Sequence, residues 1–229
     1  MIDRLLVQAP AFFTADTAAF LGLALGRTLL MTVIGCTLGF GFGLVIAVVR
    51  GSRARWLAPL RLLAGAYVET FRRLPFLVIL ILVLFSVQAV VPDLSLLGTA
   101  TVAVTLAATA YLSEIIRAGL DSVPRTQVEG AEVLGLDAWQ RFWLVVLPQS
   151  WTVILPPAAA FMVMFVKDTA LASHLGVVEL AFSGKILVNR GFSPVLGYGA
   201  VLMLYFLLSW PLGRAAAWLE TRLAVSRNH

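Results

Sequence analysis

Glu69, Arg72 and Arg73 stand together in a segment that is otherwise apolar, and Lys167, Asp168 and Thr169 close another. Ionisable side chains inside long apolar segments are expensive, so they are kept where they pair or line a polar path. A carboxylate there can receive an ammonium group, and a guanidinium can hold a carboxylate through two parallel hydrogen bonds. Two readings of the first group stay open. Glu69 reaches Arg72 at i+3 and Arg73 at i+4, which would brace a helix. Alternatively, Pro75 breaks that helix, and freed backbone groups beside charges make a pocket for a solute. Lys167 and Asp168 read equally as a neighbouring pair at a membrane surface.

Other chemistry is scarce. There is no phosphate-binding G-x-x-x-x-G-K-S/T loop, H-E-x-x-H pair, G-x-S-x-G elbow or C-x-x-C pair. Cys36 is the lone cysteine, so no disulfide can form within the chain. His174 and His229 are the only histidines and are expected on opposite sides of a membrane, which argues against a metal site. The chain is not expected to be an enzyme by itself or to carry a cofactor.

The elements that position these charges are apolar. Of 229 residues, 60% are hydrophobic and 13% charged, with a mean hydropathy of +0.94. A soluble domain is nearer 45–50% apolar and about 25% charged, so the composition places the chain in a lipid bilayer. Its net charge of +5 sits in short loops and is no nucleic-acid signal. Thr28–Val49, Leu74–Val91, Leu94–Ser113, Phe142–Val166 and Gly191–Gly213 are free of charge and long enough, or nearly so, to cross as helices. Leu74–Val91, the shortest, is expected to be extended backward by Trp56–Val68 across a kink at Pro75.

Basic residues set the orientation. Arg50, Arg53, Arg55 and Arg61 follow the first run, Arg117, Arg125 and Arg141 the third, and Arg214, Arg222 and Arg227 close the chain. The other side has only Arg4, Lys185 and Arg190 as clear loop charges. Arg27, Arg72, Arg73 and Lys167, within or at the edge of apolar elements, are left uncounted. The N-terminus is thus expected outside and the C-terminus in the cytoplasm. Trp56, Trp139, Trp143, Trp210 and Trp218 fall near the same cytoplasmic ends, as an interfacial belt would.

Along the chain, residues 1–20 read as an external arm, 21–222 as one transmembrane domain and 223–229 as a tail. Gly35, Gly39, Gly43 and Ala47 form a stripe that invites close helix packing, inside the subunit or between subunits. The polar loop at about 118–141 holds a short helix. Ser122-x-Pro124 starts it, Gly135 stops it, and Asp137-x-x-Gln140 forms a capping box for the next span. As an ordinary surface helix it would have to pack Val128, Ala131, Val133 and Leu134 on its own subunit. Pro156-Pro157 predicts irregular backbone in the fourth span. Leu171–Val188 reads as an external or re-entrant helix.

Four stretches carry a family resemblance. Glu129-Gly130-Ala131, Gly135 and Val145-x-Leu147-Pro148 follow the pattern E-(A/G)-A-x3-G-x9-(I/V)-x-L-P. This resembles the signature loop of membrane subunits of bacterial ABC importers. Tyr67-Val68-Glu69-Thr70-Phe71-Arg72, Ala110-Tyr111-x-x-Glu114-x-x-Arg117-Ala118-Gly119 and Lys167-Asp168-Thr169-x-Leu171-Ala172-Ser173-x-x-Gly176-x-x-Glu179-Leu180 resemble segments of polar amino-acid permeases.

The resemblance implies an all-α polytopic protein of the bacterial inner membrane, with the five-helix core of a type I ABC importer permease. It implies a second identical or homologous permease, an external solute-binding protein, and an ATPase dimer that binds the ATP and Mg. The loop helix would be the coupling helix, with Arg125, Glu129, Gly130, Ala131 and Gly135 facing the ATPase. Glu69, Arg72, Asp168 and Thr169 would line the substrate pathway. Two departures stand out: Gly130 replaces a usual alanine, and after Glu69 the chain has Arg73, Leu74 and Ile79 where glycine, threonine and glutamine are usual. A secondary transporter using Glu69 and Asp168 as ion sites, or a membrane scaffold, are the competing readings.

Overall fold

Charge-free apolar runs can satisfy their backbone in lipid only as helices or closed barrels. The computed structural model describes residues 2–52 and 54–225, and among these it contains helices and no strand. Arg53, Arg227, His229 and much of the 223–229 tail lie outside the described residues, as does the Arg4 side chain. The helices are α1 (Ile2–Phe12), α2 (Ala15–Gly51), α3 (Ala58–Arg73), α4 (Phe76–Val90), α5 (Leu96–Asp121), α6 (Arg125–Val133), α7 (Ala138–Arg141), α8 (Leu147–Asp168), α9 (Leu180–Asn189) and α10 (Pro194–Val225).

Four stretches are long and apolar enough to cross a membrane: Ala15–Gly51, Leu96–Asp121, Ala138–Leu175 and Pro194–Leu223. A fifth passes only as the pair Arg55–Arg73 and Phe76–Val90, which is bent by 119°. Of the kink or break expected at Pro75, the structure shows the break. Pro75 forces the preceding Leu74 out of helical conformation, and both residues are extended (ψ 138° and 137°). Two extended residues in succession turn the chain into an elbow.

The core is built around α5, whose Ala100, Ala103, Ala107, Ala108 and Ala110 are all buried. The glycine stripe of α2 packs on it. A Cβ on Gly39 would meet Ala108 Cβ at 2.6 Å, and one on Gly43 would meet the Ser113 backbone N at 2.9 Å. Gly35 abuts Val104 in the same way. Within this subunit the stripe therefore seats α2 on α5. The N-terminal segment is tied down as well: Gln8 Nε2 donates to Gly191 O (3.0 Å), Ser193 N donates to Gln8 Oε1 (2.7 Å), and Phe12 meets Phe192 edge-on.

Two expectations are corrected. Pro156 and Pro157 lie inside an unbroken α8. Their missing N–H groups leave the Thr152 and Val153 carbonyls without helical donors, yet the helix course is kept. The irregular backbone lies earlier, in a widened π-type turn at Phe142–Val146. There Leu147 N–H reaches back five residues to Phe142 O, directly before Pro148, which has no N–H to give. Residues 171–188 are not one helix. Thr169–Leu175 continues α8 as a 3-10 stretch, Gly176 turns the chain with φ 80°, and α9 starts anew at Leu180.

Candidate functional site

Two places gather the residues singled out above: the short helix α6 and the elbow between α3 and α4. At one end of the helix bundle, α6 joins α5 to α7. Pro124 (φ −57°, ψ 136°) precedes its first turn, so the absent proline N–H costs no bond. Its far end closes at Gly135, whose φ of 79° only glycine adopts without strain. Gly135 N donates to Glu132 O and Leu136 N to Ala131 O, which caps the last carbonyls. Asp137 and Gln140 form the expected capping box, and Arg141 ties α7 back to Glu132 at 3.0 Å.

The faces of α6 divide sharply. Ala131 is buried and Val128 half-buried, while Val133 and Leu134 are 88% and 80% exposed. Arg125, Glu129, Gly130 and Gly135 are exposed too, and a Cβ on Gly130 or Gly135 would touch nothing within 4 Å. Two of the four apolar residues of this short helix and its cap are left unpacked by its own subunit.

The second place is the elbow. Arg73 donates twice to Glu69 Oε2 (2.7 and 2.9 Å), so the i+4 pair forms. Arg72 turns away to Glu114 on α5 at 3.2 Å and lies over the Tyr111 ring. Tyr111 stacks on Phe161, Phe161 packs on Phe165, and Phe165 meets Phe76 at the start of α4. An aromatic row thus joins the two arms of the elbow to the α8 face, one turn before Asp168. Asp168 is half-buried beside exposed Lys167. Thr169 is fully buried and donates its hydroxyl to Val166 O. Leu74 and Ile79 add only apolar surface here, and Ile79 is buried.

Two acidic residues emerge that the charge-in-span reading passed over. Glu114 accepts from Arg50 and Arg72, each at 3.2 Å, and from Arg117, which also pairs with Asp121. One largely buried carboxylate therefore holds together the ends of α2, α3 and α5. Glu179 is completely buried. It caps α9 through Ala181 N and Phe182 N and accepts from the Tyr205 hydroxyl of α10 at 3.0 Å. Both lie inside the quoted motifs, which was the available signal. Among the described residues no cluster of His, Cys, Asp or Glu has the arrangement of a metal site.

Comparison with known proteins places these features. Residues 39–225 match the family described as binding-protein-dependent transport system inner membrane component. The chain is 31% identical over 215 residues to a probable glutamine ABC transporter permease of Bacillus subtilis (strain 168), covering 92% of this chain and 96% of that one. It is 31% identical over 197 residues to an L-cystine transport system permease of the same organism, covering 86% and 83%. Among solved structures, it is similar to a chain of an amino acid ABC transporter crystallised with histidines, with a TM-score of 0.81 and 26% identity over 90% of this chain and 95% of that one.

Proposed function

The chain belongs to the family of binding-protein-dependent transport system inner membrane components, and from that membership we propose how it works as the permease of an ABC importer for amino acids. It is a multi-pass protein of the bacterial inner membrane. Its relatives are named for glutamine and cystine, and the solute assigned to this chain is a free amino acid delivered by an external binding protein. Two permeases enclose the path, and two ATPases drive it from the cytoplasmic side.

The observation that carries this reading is α6. A capped helix that leaves Val133 and Leu134 bare at the end of the bundle is shaped to enter a partner's groove, and in an ABC importer the partner at that end is the ATPase. Arg125, Glu129, Gly130 and Gly135 face that contact, while Ala131, buried beneath them, seats the helix on its own subunit. ATP binding draws the ATPases and their two α6 helices together and opens the path outward; hydrolysis resets it. Glu69, Arg72, Asp168 and Thr169 are assigned to the pathway side of the elbow and α8. There the carboxylates suit the ammonium of an amino acid, and Arg72 suits its carboxylate. In this conformation Glu69 is held by Arg73 and Arg72 by Glu114, so a solute would have to compete with internal partners.

Affinity purification of the tagged chain with its ATPase, followed by uptake of a panel of labelled amino acids into proteoliposomes, tests the proposal. Uptake that depends on ATP and on the binding protein is the expected result. A chain that transports without any ATPase would overturn it and favour an ion-coupled carrier.

A further inference from the structure

At the end opposite α6, a cavity of about 520 Å³ lies between the Thr169–Leu175 stretch, α9 and the second turn of α10. Its polar groups are the Ser173 and Tyr198 hydroxyls, the His174 ring and the Lys185 ammonium, and no carboxylate lines it. Lys185 makes no ion pair among the described residues. Its Nζ sits 5.6 Å from the centre of the Phe182 ring, so one side of the cation faces an aromatic surface instead of water. Glu179, the acid closest to it in the chain, is buried and spends both oxygens on the α9 cap and Tyr205.

The walls are held in place. A Cβ on Gly184 would come within 2.9 Å of Tyr198 Cδ1, so the tyrosine ring lies directly on the α9 backbone. The His174 Nδ1 lies 3.2 Å from Leu171 O. In the tautomer that donates there, Nε2 is left for a partner, and the protonated ring would donate from both nitrogens. A concave surface with a cation that has no acidic partner among the described residues, beside hydroxyl and imidazole groups, is complementary to a carboxylate.

We propose that this cavity receives an aspartate or glutamate side chain of the external binding protein when it docks. The proposal rests on the importer reading, which puts the end opposite α6 outside the cell. A side chain of a docked protein fits better than a free solute for two reasons. The cavity shares no residue with the aromatic row beside the elbow, and Lys185, His174 and Tyr198 are presented at the surface.

The test uses the assembled transporter in lipid nanodiscs, with ATP hydrolysis followed as solute-loaded binding protein is titrated at low and high salt. Lys185→Glu should raise the half-saturating concentration of binding protein about tenfold and abolish most of its salt dependence. Lys185→Arg should restore wild-type behaviour. Should Lys185→Glu fail to assemble, Tyr198→Phe and His174→Gln read the same titration, each with a shift of about two- to fivefold. Unchanged half-saturation in the variants that assemble would overturn the proposal. So would a shift seen with free amino acid in the absence of binding protein, which would make the cavity a solute site. A wild-type complex that no binding protein stimulates would remove the importer reading itself, and this assignment with it.

Discussion

Arg72 crosses from the last turn of α3 to Glu114 on α5 at 3.2 Å, while its neighbour Arg73 stays on its own helix with Glu69. Two adjacent arginines thus have different duties. The first joins the elbow to the core, and the second lies at the surface, with 80% of its side chain exposed.

The Arg72–Glu114 contact should register as a coupled pair. Glu114→Gln leaves the guanidiniums of Arg50, Arg72 and Arg117 short of one charge and should cost about 2 kcal/mol, lowering the thermal midpoint of the purified protein by several degrees. In a cycle with Arg72→Ala and Glu114→Ala, the coupling should be about 1 kcal/mol, since Arg72 is 39% exposed and partly screened. Additive losses would show that the pair contributes nothing of its own.

The Gly135 stop separates two substitutions that look alike in sequence. Gly135→Val forces a β-branched residue to φ 79° and should cost at least about 1–2 kcal/mol locally. It would redirect the chain toward α7. Gly130→Ala meets no atom and should firm α6 by up to about 1 kcal/mol. Measured as solute moved per ATP hydrolysed, the first variant should fall several-fold and the second should hold. Equal ratios would detach α6 from coupling.

The glycine stripe has its own internal control. Gly39→Val drives its Cβ into Ala108 and the Thr109 backbone, whereas Gly41 has nothing within 4 Å. Gly39→Val should therefore cost about 1–3 kcal/mol or abolish folding, while Gly41→Ala should be neutral or slightly stabilising. Thermal midpoints in detergent check both. Identical midpoints would mean that α2 and α5 are less tightly apposed than described.

Glu69→Gln tests the pathway. The Glu69–Arg73 pair is exposed and at i,i+4, so its loss should change stability by no more than about 0.5 kcal/mol. Complex yield should stay at the wild-type level, and the concentration giving half-maximal uptake of the transported amino acid should rise. A lower yield with unaltered selectivity would reduce Glu69 to a brace for α3.

Much of this architecture is legible in the sequence because lipid imposes simple requirements. Charge-free runs located the long helices, and local cap chemistry placed α6 and α7 to within two residues. What escaped depends on contacts between distant segments. Glu114 looked like a charge just beyond an apolar run; only the packing of α2 and α3 on α5 surrounds it with arginines. Glu179 and Tyr205 meet through the fold of α9 against α10. The elbow was underestimated because a proline signals a break but not its angle. The double proline misled in the other direction, since Pro156-Pro157 sits in a continuous helix while the backbone yields ahead of Pro148. The pathway residues remain the least legible, because side chains that suit an amino acid also suit one another.

Backbone contact along the glycine stripe restricts how the subunit can deform. Gly35, Gly39 and Gly43 are notches on α2, set about 6 Å apart by four residues of helix, and they receive Val104, Ala108 and Ser113 of α5. A slide shorter than one notch would move the Val104 and Ala108 side chains off the glycines and against the α2 backbone between them. The pair is therefore a ratchet locked in one register, and it moves as a single strut. A transport cycle must then draw its movement from the elbow at Leu74–Pro75, the widened turn at Phe142–Val146, or rotation of the whole strut against a neighbouring subunit.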